Sequence, residues 1–203
     1  MTVALNDQGW GVGHVVDEND NLKEIEMPSA ISSWSEWEVR VPLVLPGERV
    51  VARIFKNFDT YSEGDLVKVV TASSHRIEPG CSLAGKCGGC QFQHLSIETQ
   101  RKWKTEFVRK GLLEQKIDRY STSESLESLL LPAMGTDEIY GYRSKLTPHY
   151  DAPYRENGEY VMGPIGFQQL CSRQIIDVEE CPIATPDKIK EKLAGMKTAL
   201  KLL

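Results

Sequence analysis

Three cysteines within ten residues, Cys81-Ser-Leu-Ala-Gly-Lys-Cys87-Gly-Gly-Cys90, constrain this chain more than any other feature. A segment that short can aim several sulfurs at one centre only by forming a tight loop. Gly85, Gly88 and Gly89 supply the backbone angles such a loop needs. A loop of this kind also turns N–H groups inward, which stabilises thiolates and sulfides. Three ligands in one loop and a fourth far along the chain is a frequent iron–sulfur pattern. Structural zinc more often uses two C-x-x-C knuckles, and only Cys87 and Cys90 form such a pair here. Zinc and unliganded thiols are the competing readings. Cys171 and Cys181 are both available as the fourth ligand, and spacing does not choose between them.

The compartment bears on this reading. No apolar run approaches the roughly 20 residues that span a bilayer, so no membrane is expected. Residues 1–10 contain Asp7 and neither Lys nor Arg, which fits neither a secretory signal nor a transit peptide. A reducing compartment is expected, the cytoplasm with an organelle as the alternative, where five cysteines point to metal or catalysis rather than disulfides. With 24 Lys+Arg against 29 Asp+Glu, the net charge of -5 excludes coating of nucleic acid by bulk charge. A local basic patch remains open. At 203 residues the chain is one large domain or two small ones.

Up to about residue 70 the pattern is of short strands broken by turns. Gly9-Trp10-Gly11-Val12-Gly13 leads into His14-Val15-Val16, and residues 17–21 form a polar turn. A strand through Val39 and Val41 is followed by the Pro46-Gly47 turn signal and a second over 50–55. A turn at Ser62-Glu63-Gly64-Asp65 precedes a further strand over 66–70. This spacing suggests a small β-barrel. The three glycines at 9, 11 and 13 lack the strand–loop–helix context of a dinucleotide site. After the cysteine loop, Ser96 caps a predicted helix with Trp103, Phe107, Gly111 and Leu112 on its apolar stripe. Arg101, Lys102, Lys104, Arg109 and Lys110 lie off that stripe and make a basic face within an acidic chain. Residues 121–139 read as a connector. Strands are expected from Tyr142 to Thr147, over 165–167 and over 173–178, with a hairpin at Asn157-Gly158. Thr185 and Pro186 open a last helix with Ile189, Leu193, Met196 and Leu200 on its apolar stripe.

Taken in order, these stretches resemble the N-terminal half of the S-adenosylmethionine-dependent RNA uracil-C5 methyltransferases, which make 5-methyluridine in tRNA or ribosomal RNA. Gly9 to Gly13 and Leu45-Pro46-Gly47-Glu48 resemble the TRAM module, an OB-like RNA-binding barrel. Residues 76–91, through Cys87-Gly88-Gly89-Cys90-Gln91, resemble the family's cluster loop. Gly141-Tyr142-Arg143-Ser144-Lys145 resembles its central-domain strand, and Val178-Glu179-Glu180-Cys181-Pro182-Ile183 resembles the close of that domain. The likeness covers nearly the whole chain, and the cysteine loop is its most specific part.

The resemblance implies an α+β fold, with a TRAM-like barrel over 1–76 and an iron–sulfur central domain over 77–203. It implies a [4Fe-4S] cluster on Cys81, Cys87, Cys90 and Cys181, leaving Cys171 as a structural thiol. The family's S-adenosylmethionine-binding domain, with its nucleophilic cysteine and base, has no counterpart in these residues. The chain alone is therefore expected to be inactive, with a methyltransferase domain supplied in cis or in trans. RNA, and not DNA, is the expected partner. Trp10, Gln91, Arg101, Lys102, Arg143 and Lys145 are its candidate contacts, with Phe55 and Tyr61 as further stacking candidates. The alternative is a stand-alone RNA-binding module with a structural metal. The cluster would close a long loop, and the metal-free protein is expected to be unstable.

Overall fold

The computed structural model describes residues 2–6, 9–15, 37–114, 128–185, 191 and 194–199. The architecture is mixed α+β and mostly sheet, and it divides into two units. The first comprises Met1–Ile77 and His94–Ser96, the second Glu78–Gln93 and Ile97–Leu203.

In the first unit, β1 (Thr2–Leu5), β2 (Gly11–Gly13), β3 (Glu38–Val41), β4 (Arg49–Asn57) and β5 (Tyr61–Thr71) form one sheet in the order β1-β2-β3-β5-β4. All neighbours are antiparallel except β3 and β5. Among the described residues β1 and β4 end the sheet, so no closed barrel is formed. The expected turn at residues 17–21 lies outside the described residues. Leu5, Val41, Val44 and Leu45 are buried, and Trp37 donates its indole N–H to Ser62 Oγ at 3.1 Å. Gly11 is required by close approach, since a Cβ there would stand 2.8 Å from the Val44 carbonyl oxygen. The turn expected at Ser62–Asp65 is instead strand. Gly64 lies inside β5, where a Cβ would meet the Arg53 carbonyl oxygen at 2.9 Å. The glycine there marks tight strand packing, and the chain reverses over 58–60.

Pro46-Gly47 does turn, with Gly47 at φ 83°, and it delivers Glu48 into the interior. The Glu48 carboxylate accepts hydrogen bonds from Leu45 N–H (2.9 Å), Ser73 N–H (3.2 Å) and both Arg76 Nε and Nη2. Arg76 also donates to the Leu43 carbonyl at 2.6 Å. Beside it, Ile77 N–H donates to the His94 carbonyl at 3.0 Å, and Arg76 bridges Leu95 in antiparallel fashion.

The second unit holds α1 (Ile97–Glu114), which starts directly after Ser96 as the cap predicts. Its contacts run to the connector: Thr105 Oγ1 accepts from Ala133 N–H at 2.9 Å. Residues 121–127 of the expected connector are outside the described set. Strands β6 (His149–Tyr150), β9 (Ile165–Gln168) and β10 (Ile175–Asp177) form a sheet ordered β10-β9-β6. Strands β7 (Tyr154–Glu156) and β8 (Glu159–Val161) are joined by Asn157 and Gly158, both left-handed at φ 51° and 89°. That is the two-residue hairpin turn the Asn-Gly pair predicts. The strand expected from Tyr142 to Thr147 is reduced to a parallel bridge between Arg143 and Ala184. Leu146, Ile165, Val178 and Ala184 form the core of this unit, and Leu83, Phe167, Cys181 and Met196 pack around it. Residues 194–199 are helical; Pro186, Ile189, Leu193 and Leu200 of the expected last helix lie outside the described residues.

Candidate metal-binding thiol cleft

The second unit contains a cleft of about 480 Å³ lined by Cys81, Cys87, Cys90 and Cys181. Turns within the loop set the first three: Ala84 N–H donates to the Cys81 carbonyl, and Lys86 and Cys87 N–H both donate to Leu83. Gly85 takes φ 79°, where a side chain would be strained. The loop is sewn to the strand end that follows β9. Gly88 N–H donates to the Gln168 carbonyl at 2.9 Å, and Leu170 N–H donates to the Lys86 carbonyl at 2.7 Å. Cys181 arrives from beyond β10 and packs against the core of this unit. Leu83, Leu146, Phe167 and Val178 give the cleft apolar walls, while Gln93, Arg143, Lys145 and Glu180 add polar groups.

The thiols sense one another. Burial pushes the Cys90 thiol pKa up; a hydrogen bond from Gln93 opposes this, and the neighbouring Cys87 and Cys81 add to it, with Arg143 opposing. Burial likewise raises that of Cys181, against a hydrogen bond from the Ile183 backbone, and Cys90, Cys81 and Cys87 raise it further. Gly89 N–H donates to Cys87 Sγ at 3.4 Å, the inward N–H contact that thiolate-rich loops use. Gln93 Oε1 is buried at the cleft without a hydrogen-bond partner.

Among the described residues, no group of three or more His, Cys, Asp or Glu is gathered closely enough to hold a metal ion. A tetrahedral zinc with bonds of about 2.3 Å needs sulfurs about 3.8 Å apart. A polynuclear cluster holds its thiolates more widely around a common centre. The cleft brings four thiols onto apolar walls, with an N–H on one sulfur, without gathering them into a close ligand group among the described residues.

The other sequence candidates separate. Arg143 and Lys145 line the thiol cleft. Gln91 is exposed beside Cys90 and is not among the cleft residues. Arg101 Nη2 is bound to the Gly135 and Thr136 carbonyls and to Asp137, while Lys102 is exposed on α1. In the first unit, Trp10 is half-buried, its N–H bonded to Asn6 Oδ1 at 2.8 Å. Phe55 is half-exposed, and Tyr61 is stacked on Phe58 at 4.3 Å with Arg40 over its other face. Cys171 is exposed on a turn at φ 55° and does not line the cleft. Gln93 and Tyr140 carry no local signature and were not anticipated from the sequence.

No protein-family model matches the chain. It is 40% identical over 158 residues to the tRNA (uracil(54)-C(5))-methyltransferase of Schizosaccharomyces pombe, covering 74% of this chain and 28% of the relative. It is 35% identical over 142 residues to the 23S rRNA (uracil(1939)-C(5))-methyltransferase of Halomonas elongata, covering 70% of this chain and 26% of the relative. The solved structure of Pyrococcus abyssi tRNA (uracil-54, C5)-methyltransferase with S-adenosyl-L-homocysteine matches 99% of this chain and 36% of its own, at a TM-score of 0.51 and 20% identity, a likeness of fold. The fold and thiol cleft thus occur in a chain whose homologues are RNA methyltransferases. More particularly, they are named RNA (uracil-C5) methyltransferases, acting on tRNA or ribosomal RNA. The chain spans between a quarter and a third of the length of the curated relatives quoted.

Proposed function

We propose that this chain is the RNA-recognition and [4Fe-4S]-binding portion of an RNA uracil-C5 methyltransferase. The observation that carries the reading is the arrival of Cys181, far along the chain, at the cleft lined by Cys81, Cys87 and Cys90. Those four thiolates would hold the cluster, which supplies a covalent tie between the loop and the segment after β10. The raised thiol pKa values mean that loading releases protons. RNA would be gripped by the TRAM-like unit over 1–76 and by cationic groups of the central domain over 77–203, Arg143 and Lys145 among them. S-adenosylmethionine and the nucleophile that adds to uracil C6 belong, on this reading, to a catalytic domain acting in cis or in trans. None of the 203 residues is assigned to that chemistry.

The test is iron and acid-labile sulfide per chain, with a visible spectrum, on anaerobically purified protein. Four irons and four sulfides are expected, lost in Cys181→Ser and kept in Cys171→Ser. One zinc without sulfide would overturn the cluster assignment and favour a structural metal on an RNA-binding module.

A further inference from the structure

We propose that residues 140–143 are a clamp that assembles the thiol cleft before any metal or cluster is loaded, with Tyr140 as its positioning residue. Tyr140 Oη accepts a hydrogen bond from Gly80 N–H at 2.7 Å, immediately before Cys81. A Cβ on Gly80 would stand 2.5 Å from that oxygen, so the ring and the loop meet at a distance only glycine permits. The next residues grip the other end of the ligand set. Gly141 N–H donates to the Pro182 carbonyl at 2.9 Å, and Arg143 N–H donates to that of Ile183 at 2.8 Å. Thr185 N–H returns a bond to the Arg143 carbonyl at 3.1 Å. One short segment thus holds the residue before Cys81 and the residues after Cys181.

Every one of these bonds is protein to protein. On this proposal part of the ordering entropy that opposes metal binding is met by the fold, because the backbone on either side of the ligand set is already held. The clamp uses the same thiols as the proposed cluster site but stands whether or not a cluster binds them.

The experiment uses the full chain, metal-free and reduced, in a Cys171→Ser background. Dibromobimane, a short homobifunctional thiol reagent, is added and the linked peptides are mapped. A link between Cys181 and a loop cysteine is expected in the native chain and is abolished by denaturant. Tyr140→Phe keeps the ring but loses the acceptor, and should slow that link several-fold with little change in the thermal midpoint. Tyr142→Phe, on the same segment and about half-exposed, should leave the rate unchanged. An unaltered rate in Tyr140→Phe, an equal loss in Tyr142→Phe, or no link in the native chain would each overturn the clamp. Iron assayed in parallel separates the two proposals, since absent iron with an intact Tyr140 effect discards only the cluster.

Discussion

His94 and Glu48 are the two residues whose ionisation the first unit controls most tightly. His94 is 5% exposed, and its pKa is depressed to about 4. Burial is the leading cause and the Arg76 charge the second, with Glu48 opposing. Burial alone would raise Glu48, yet hydrogen bonds from Arg76, Leu45 and Ser73 and the Arg76 charge hold it below the usual carboxylate range. A base depressed in the fold contributes stability that is complete above its unfolded value near 6.5. As pH falls from there toward 4, the unfolded chain takes up the proton first and stability is lost, by up to about 1.4 kcal/mol per pH unit. The Glu48 contribution follows, disappearing below about pH 4.5 as its carboxylate is protonated. His94→Gln should therefore flatten the fall in thermal midpoint between pH 6.5 and 4. Melts at three pH values would test this, and an unchanged slope would sink it. Glu48 follows a Pro-Gly turn. Its burial depends on Arg76, 28 residues away, a pairing that local pattern does not encode.

At the level of elements, the central strand of the smaller sheet has almost no room. Gly166 of β9 pairs with His149 on one side and Asp177 on the other. A Cβ there would lie 2.1 Å from the Ile176 carbonyl oxygen and 2.8 Å from Val178 Cγ2. Gly166→Ala should cost roughly 2–4 kcal/mol by forcing β10 away from β9. Urea unfolding measures it, and a loss under about 0.5 kcal/mol would mean the sheet relaxes freely. The two-residue turn between β7 and β8 was readable because Asn-Gly carries its backbone angles in its chemistry. Ser62–Asp65 has turn composition yet lies within β5, for the opposite reason. Gly64 is selected by the approach of β4, a tertiary fact that looks locally like a turn. The segment over 142–147 has strand composition, but its hydrogen bonds go to residues 183–185 as a single bridge rather than a ladder.

For the molecule as a whole, a net charge of -5 means that any grip on RNA must come from local cations. Arg143 and Lys145 sit together on the thiol cleft. Under the proposed function they contact phosphate. Replacing both with Gln should weaken binding to tRNA and rRNA fragments alike and reduce the salt slope by about 1.4, at about 0.7 per phosphate for single strands. Titration at several salt concentrations measures this, and an unchanged slope would remove both residues from the RNA-binding face. The spacing of Cys81, Cys87 and Cys90 announced a thiol loop without help. The choice of Cys181 over Cys171 rested on resemblance, and their different surroundings explain why spacing was silent. One lines the cleft, and the other stands on an exposed left-handed turn. Nothing in the local sequence marked Tyr140, because its role arises from a contact 60 residues away.

The chain leaves the first unit at Ile77, runs through the cysteine loop, and returns to it at His94, whose carbonyl bonds Ile77 N–H. The two ends of this excursion are neighbours, so its length is set less by the strands of the first unit than by its bonds within the second, to Gln168, Leu170 and Tyr140. A residue gained or lost over 78–93 is therefore felt first at the thiol cleft.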